Sequence, residues 1–117
     1  MFNIKMALDF DEAWPLLREA AQMGDGVKYD EVKEGLKTGE FAFFSKEKSA
    51  AITASAGKTL RIGLAGGDLN ELCEIEKEIV HGAIEKGYEK MEIMGRPGWE
   101  KVLTGYEKVA VLLRRKL

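Results

Sequence analysis

The sequence predicts one α/β (α+β) domain in which helices flank a mixed central β-sheet. Three observations carry that expectation. Apolar residues alternate in strand fashion near the start and gather into short strand-like runs between Phe41 and Leu64. They recur at helical spacing after Asp11 and again, over a longer stretch, after Asp68. Finally, 117 residues, 45% of them apolar, suffice for one packed core and leave little room for a second domain.

Taken in order, Phe2, Ile4 and Met6 alternate with Asn3 and Lys5, the two-residue period of a half-buried strand. Asp9 and Asp11 supply capping oxygens to a helix bearing Leu16, Leu17, Ala20 and Ala21. Proline lacks the amide that a helix interior needs, so Pro15 places the start of this helix near Asp11. Gly24-Asp25-Gly26 ends it. Asp30 is expected to cap a shorter helix carrying Val32 and Leu36, closed by Gly39. A three-stranded antiparallel meander follows: Phe41 to Phe44, a polar turn at Lys46-Glu47-Lys48, Ala50 to Ala54, a tight turn at Gly57-Lys58, then Thr59 to Leu64. Alanine is a poor strand former, which makes the central strand the least sharply bounded.

Asp68 opens the best-defined element, a helix reaching about Lys86 with Gly87 as its stop. Leu69, Leu72, Cys73, Ile79, Val80, Ala83 and Ile84 form its apolar stripe, with Glu71, Glu74 and Glu78 expected largely away from it. Met91, Ile93 and Met94 read as a short strand, Trp99 to Leu103 as a short helix, and Lys108 to Leu113 as a last strand. A strand, a long helix and a further strand imply a right-handed crossover and a parallel pair. The full order is therefore β-α-α-β-β-β-α-β-α-β over residues 1–117, and the sheet is mixed.

Charge and composition exclude several functions. The net charge of −2, with signs interleaved, exerts no long-range pull on nucleic acid or anionic membrane. Arg114, Arg115 and Lys116 read as a solvated tail. The longest apolar run, Val109 to Leu113, is far too short to span a membrane, and the first residues lack a signal peptide's apolar region. A cytoplasmic location is expected. The lone Cys73 implies no internal disulfide and reads as a buried, inert thiol. The lone His81 points away from the stripe and cannot supply a metal cluster, so no metal site is expected.

The element order resembles that of the GNAT superfamily of acyl-CoA-dependent N-acetyltransferases. Locally, Met91-Glu92-Ile93-Met94-Gly95-Arg96-Pro97-Gly98-Trp99-Glu100-Lys101-Val102-Leu103 through Gly105-Tyr106-Glu107-Lys108 is similar to the superfamily's strand, short helix, corner and last strand. It also resembles small GNAT-like proteins encoded by tailed bacteriophages, which carry a Gly-Arg-x-Gly-Trp segment before a Gly-Tyr corner. The resemblance implies that the meander's last strand and the strand after the long helix splay apart. Acetyl-CoA would enter that gap, its pyrophosphate on the helix N-terminus, where free amides and the positive dipole end receive anions. The cofactor-binding residues so implied are Leu64, Ala65, Gly66, Gly67, Asp68 and Leu69. Arg96 and Trp99 join the candidates: Arg96 follows a strand's C-terminal end, the edge where open α/β sheets place ligands, and either pairs with a phosphate or carboxylate or, the favoured reading, bonds loop carbonyls around Pro97. A phage origin would place the protein in the host cell cytoplasm or in a virion.

Three departures shape the functional expectation. The superfamily's longer phosphate loop is reduced here to Ala65-Gly66-Gly67, and Asp68 brings a carboxylate to the pyrophosphate position, where like charges repel. A helix cap behind a tight turn is the favoured reading, a phosphate cradle the other. Thr59 to Leu64 holds no carboxylate to act as general base; Asp25, Asp30 or Glu92 would have to approach from elsewhere. Trp99 stands where a tyrosine often protonates the leaving thiolate, and an indole is no acid at neutral pH. Tyr106, at the following corner, is expected to pack with its hydroxyl at the surface. The sequence thus favours a catalytically degenerate domain acting by binding or assembly, with a protein or small amine as partner. The alternative is an active N-acetyltransferase with a reduced cofactor site.

Overall fold

The computed structural model describes residues 7–23, 27–93, 105, 106 and 115. Helices α1 (Phe10–Met23) and α2 (Tyr29–Thr38) precede strands β1 (Phe41–Ser45), β2 (Ser49–Ala56) and β3 (Thr59–Gly67); helix α3 (Leu69–Glu85) then leads to β4 (Lys90–Ile93). The strands lie in the order β1-β2-β3-β4. The first three are mutually antiparallel, and β4 runs parallel to β3. The mixed sheet, and the parallel pair bridged by the long helix, agree with the sequence. The strand expected over 2–6, the helix over 99–103, the strand over 108–113, and Met94 all lie outside the described residues.

The sheet is packed on both faces. On one, Ala13 and Leu17 of α1 and Val32 of α2 meet Ala50, Ile52 and Leu64. On the other, Leu72, Ile75 and Ile79 of α3 meet Ala51 and Ile62. The larger apolar side chains of this interior, Leu17, Val32, Ile62, Ile75 and Ile79, are essentially sealed from water. Each such burial contributes about 1.5–3 kcal/mol before entropy is counted.

Ile62 and Leu64 are two residues apart and should share a face, yet they enter opposite layers. The pairing explains it. Leu64 opposes Ile52 while Ile62 opposes Thr53, so Gly63 is an extra residue in β3 and forms a β-bulge. Before the bulge Leu60 and Ile62 face α3; after it Leu64 and Gly66 face α1.

Each helix end is fixed locally. Asp9 accepts from the Glu12 amide at 2.8 Å and Glu12 accepts from the Asp9 amide at 3.0 Å, a complete capping box that starts α1 at Phe10. Pro15 consequently falls at the sixth position of the helix, in its second turn and not in the first to which the sequence confines it. Of the residues expected on the buried side of α1, Leu17 is buried and Leu16 half-buried; Ala13 joins Leu17 in the core, flanked by half-buried Phe10 and Trp14. Phe10 and Trp14 join Tyr29 of α2 and Phe43 of β1 in an aromatic cluster, with Phe10 edge-on to Phe43 at 5.9 Å. Lys28 caps the start of α2, its amide donating to Glu31 at 3.3 Å; Asp30 sits inside the first turn and is not the cap.

Helix α3 opens at Asp68, as the sequence predicts. It closes with Tyr88 donating to the Ala83 carbonyl at 3.0 Å and left-handed Gly87 to that of Ile84 at 3.1 Å. That double bond is the Schellman arrangement, which requires positive φ at the residue glycine fills. Its buried line is Leu72, Ile75, Ile79 and Ala83. Leu69 and Ile84, expected on the stripe, are 44% and 71% exposed, and Cys73 is half-buried beside it.

Candidate functional site

The segment singled out by sequence, 64–69, lies where β3 passes into α3. Leu64 to Gly67 are not a loop. Ala65, Gly66 and Gly67 pair with Ala51, Ala50 and Ser49, so β3 continues to Gly67 and Asp68 alone links strand to helix. Leu64 is buried against α1, and Leu69 opens α3. Arg96 and Trp99 lie outside the described residues.

Packing accounts for both glycines. A methyl group on Gly66 would stand 2.4 Å from the Leu16 carbonyl oxygen, because α1 crosses the sheet with its backbone against this residue. Gly67 has φ 115° and lies so close to the Lys48 carbonyl that only hydrogen fits.

The N-terminus of α3 is occupied by the protein's own carboxylates. Asp68 Oδ2 accepts from the Glu71 amide at 3.0 Å. Glu71, at the capping-box position, does not reach back to the Asp68 amide. Its Oε1 crosses to the β1–β2 turn and accepts from the Lys48 amide at 2.8 Å and from Ser49 Oγ at 2.7 Å. The Asp68 amide donates to the Lys48 carbonyl at 3.1 Å. Ser49 is fully buried, so its hydroxyl needs this acceptor. Helix, strand end and turn are thereby tied into one clasp. Chemically it presents acceptors and negative charge, which the helix dipole also favours there.

Further along α3, Tyr106 Oη donates to Glu76 Oε2 at 2.7 Å. Burial and then the Glu76 carboxylate push this phenol above its usual range, so it remains a protonated donor. The expectation of a surface hydroxyl is corrected: it is anchored to the helix. Around this pair a pocket of about 380 Å³ is lined in part by Val80, Tyr88 and Met91.

Of the carboxylates considered as bases, Glu92 is engaged by Arg61 at 2.6 Å across β3 and β4, and Asp30 is exposed on α2. Asp25 is outside the described residues. His81 is 79% exposed and pairs with Glu85 at 2.9 Å. Among the described residues no three His, Cys, Asp or Glu side chains are grouped as metal ligands. No described helix is long and apolar enough to cross a membrane.

Sequence reasoning placed Glu71 among solvent-facing acids and passed over Ser49. The spacing Asp68-x-x-Glu71 is the local signal that such a carboxylate turns back toward the helix start. That it would find Ser49 depends on the β2–β3 register, which no local pattern encodes. Comparison with family models, curated proteins and solved structures finds no match to this chain.

Proposed function

We propose that the chain is a GNAT-like domain that retains the superfamily's architecture and acts by binding a protein or small-amine partner instead of transferring acetyl groups. The observation that carries this reading is the clasp at the start of α3. Asp68 and Glu71 hold the place an incoming pyrophosphate would take, and Glu71 is committed to Lys48 and Ser49. A diphosphate entering there meets two carboxylates, and the Glu71 amide is already taken by Asp68. The described element order and the parallel β3–β4 pair around α3 support the architectural half of the proposal.

One observation favours the alternative, an active acetyl-CoA-dependent transferase. Pairing of β3 with β4 is described as far as Ile62 and Ile93, and the bulge at Gly63 follows at once. Bulges bend the strand that bears them, which is the geometry a splayed cofactor slot needs.

Calorimetric titration and thermal melting with acetyl-CoA separate the two readings. A site with a Kd of about 10 μM would gain roughly 2.7 kcal/mol of folded-state stability at about 1 mM ligand. We expect neither heat nor a shift in melting temperature. Saturable binding accompanied by acetyl transfer to an amine would overturn the proposal.

A further inference from the structure

We propose that the groove between α3 and β1 binds a small neutral molecule, mostly apolar and carrying one hydrogen-bonding group, seated on the Thr53 hydroxyl. The groove lies along the C-terminal half of α3, at the opposite end from the clasp, and the proposal goes beyond the reading given above. Helix α3 covers β2 and β3 but not all of β1, so a trough of about 230 Å³ remains beside the helix. Phe44, Leu60 and Ile79 supply apolar wall. Ala42 and Gly82 keep it open, since a methyl group on Gly82 would meet nothing within 4 Å.

Thr53 is what distinguishes this trough from a packing irregularity. It lies on the α3 face opposite Ala42 and is 2% exposed. Its hydroxyl has no hydrogen-bond partner among the described residues, whereas every fully enclosed side-chain N or O atom there has one. The hydroxyl therefore opens onto the groove. A hydroxyl at the floor of an apolar groove offers an incoming ligand one hydrogen bond in exchange for water.

The rim defines the ligand's charge. Glu40 and Lys86 stand at the mouth with opposite sign, and Glu78 is drawn toward Lys46 at 3.5 Å, so neither an anion nor a cation is favoured. Size follows from volume. An apolar cavity of about 150 Å³ accepts benzene, so this trough takes a somewhat larger body of about eight or nine non-hydrogen atoms, such as benzyl alcohol. Affinity for so small a ligand falls in the millimolar range.

The test is an amide NMR titration of the full chain with benzyl alcohol and with toluene, which lacks the hydroxyl. Saturable shifts are expected at residues 42–44, 53–55 and 79–86 with both. Thr53→Val should weaken benzyl alcohol about 3- to 10-fold and leave toluene unchanged, a ratio insensitive to any loss of stability in the variant. Gly82→Leu, a better helix former than glycine, should fill the trough and abolish both. The proposal is overturned if no saturable shift appears, if Gly82→Leu binds as the parent does, or if Thr53→Val affects the two ligands equally. Concentration-dependent shifts at the same residues without ligand would mean a second copy occupies the groove, which also overturns it.

Discussion

Replacing Gly66 with alanine distinguishes a packing role for the Gly66-Gly67 pair from a ligand-approach role. The new methyl group would sit 2.4 Å from the Leu16 carbonyl oxygen and 2.9 Å from its carbon. Those atoms belong to the backbone of α1, so no rotamer change relieves the overlap and the helix must lift from β3. Overpacking of this kind costs about 1–3 kcal/mol. Restricting the unfolded chain returns about 0.4–1 kcal/mol, which leaves a net loss of at most about 2.6 kcal/mol and of about 1–2 kcal/mol toward the middle of both ranges. For a domain of this size that lowers the melting temperature by roughly 4–8 °C. Gly63→Ala is the internal control: it has open space around its methyl position and no left-handed φ, and should stay within about 0.5 kcal/mol of the parent. Urea denaturation of the three proteins measures the difference. If Gly66→Ala unfolds at the same midpoint as the parent, α1 does not press on β3 as argued, and the glycine serves something other than packing.

Two further outcomes follow from the clasp and the tyrosine. Glu71→Ala strands the Lys48 amide and the buried Ser49 hydroxyl and should cost about 2–3 kcal/mol. Glu71→Gln keeps an acceptor and should cost about 1 kcal/mol or less; equal losses for the two would show that the hydrogen bonds contribute nothing. The Tyr106 phenol titrates above its ordinary value of 10.0 in the folded chain. The folded state therefore holds that proton more tightly than the unfolded state does. The stability so contributed is complete below about pH 10 and drains away as pH rises through the folded value. Thermal melts of the parent and Tyr106→Phe should differ by a constant amount below about pH 10 and converge above it. A gap that stays constant to about pH 11 would dissociate the hydroxyl from Glu76.

Much of the described architecture was legible because its signals are local. Asp68 and Gly87 bracket α3 by cap chemistry alone, and Lys46-Glu47-Lys48 and Gly57-Lys58 mark both meander turns. The parallel β3–β4 pair follows from the length of the crossover. What escaped depends on partners distant in sequence. Ala65-Gly66-Gly67 has poor strand propensity and is extended only because Ser49 to Ala51 pair with it. Leu69 and Ile84 look like core residues, but the face of α3 is chosen by where Ala51 and Ile62 lie, which admits Ile75 in their place. Glu71 reads as a surface acid until the turn carrying Ser49 is folded beneath it. The clasp could be anticipated only from the capping spacing, and the Thr53 groove not at all.

The extra residue in β3 also governs how this chain should be compared with others. Upstream of position 63 the even-numbered side chains of the strand belong to the α3 layer; downstream they belong to the α1 layer. An alignment drawn without a gap there matches interior positions of one layer to those of the other for the whole run up to the clasp. A distant relative that lacks the insertion would carry its small residues one place out of phase. Its kinship would then be visible in three dimensions before it was visible in letters.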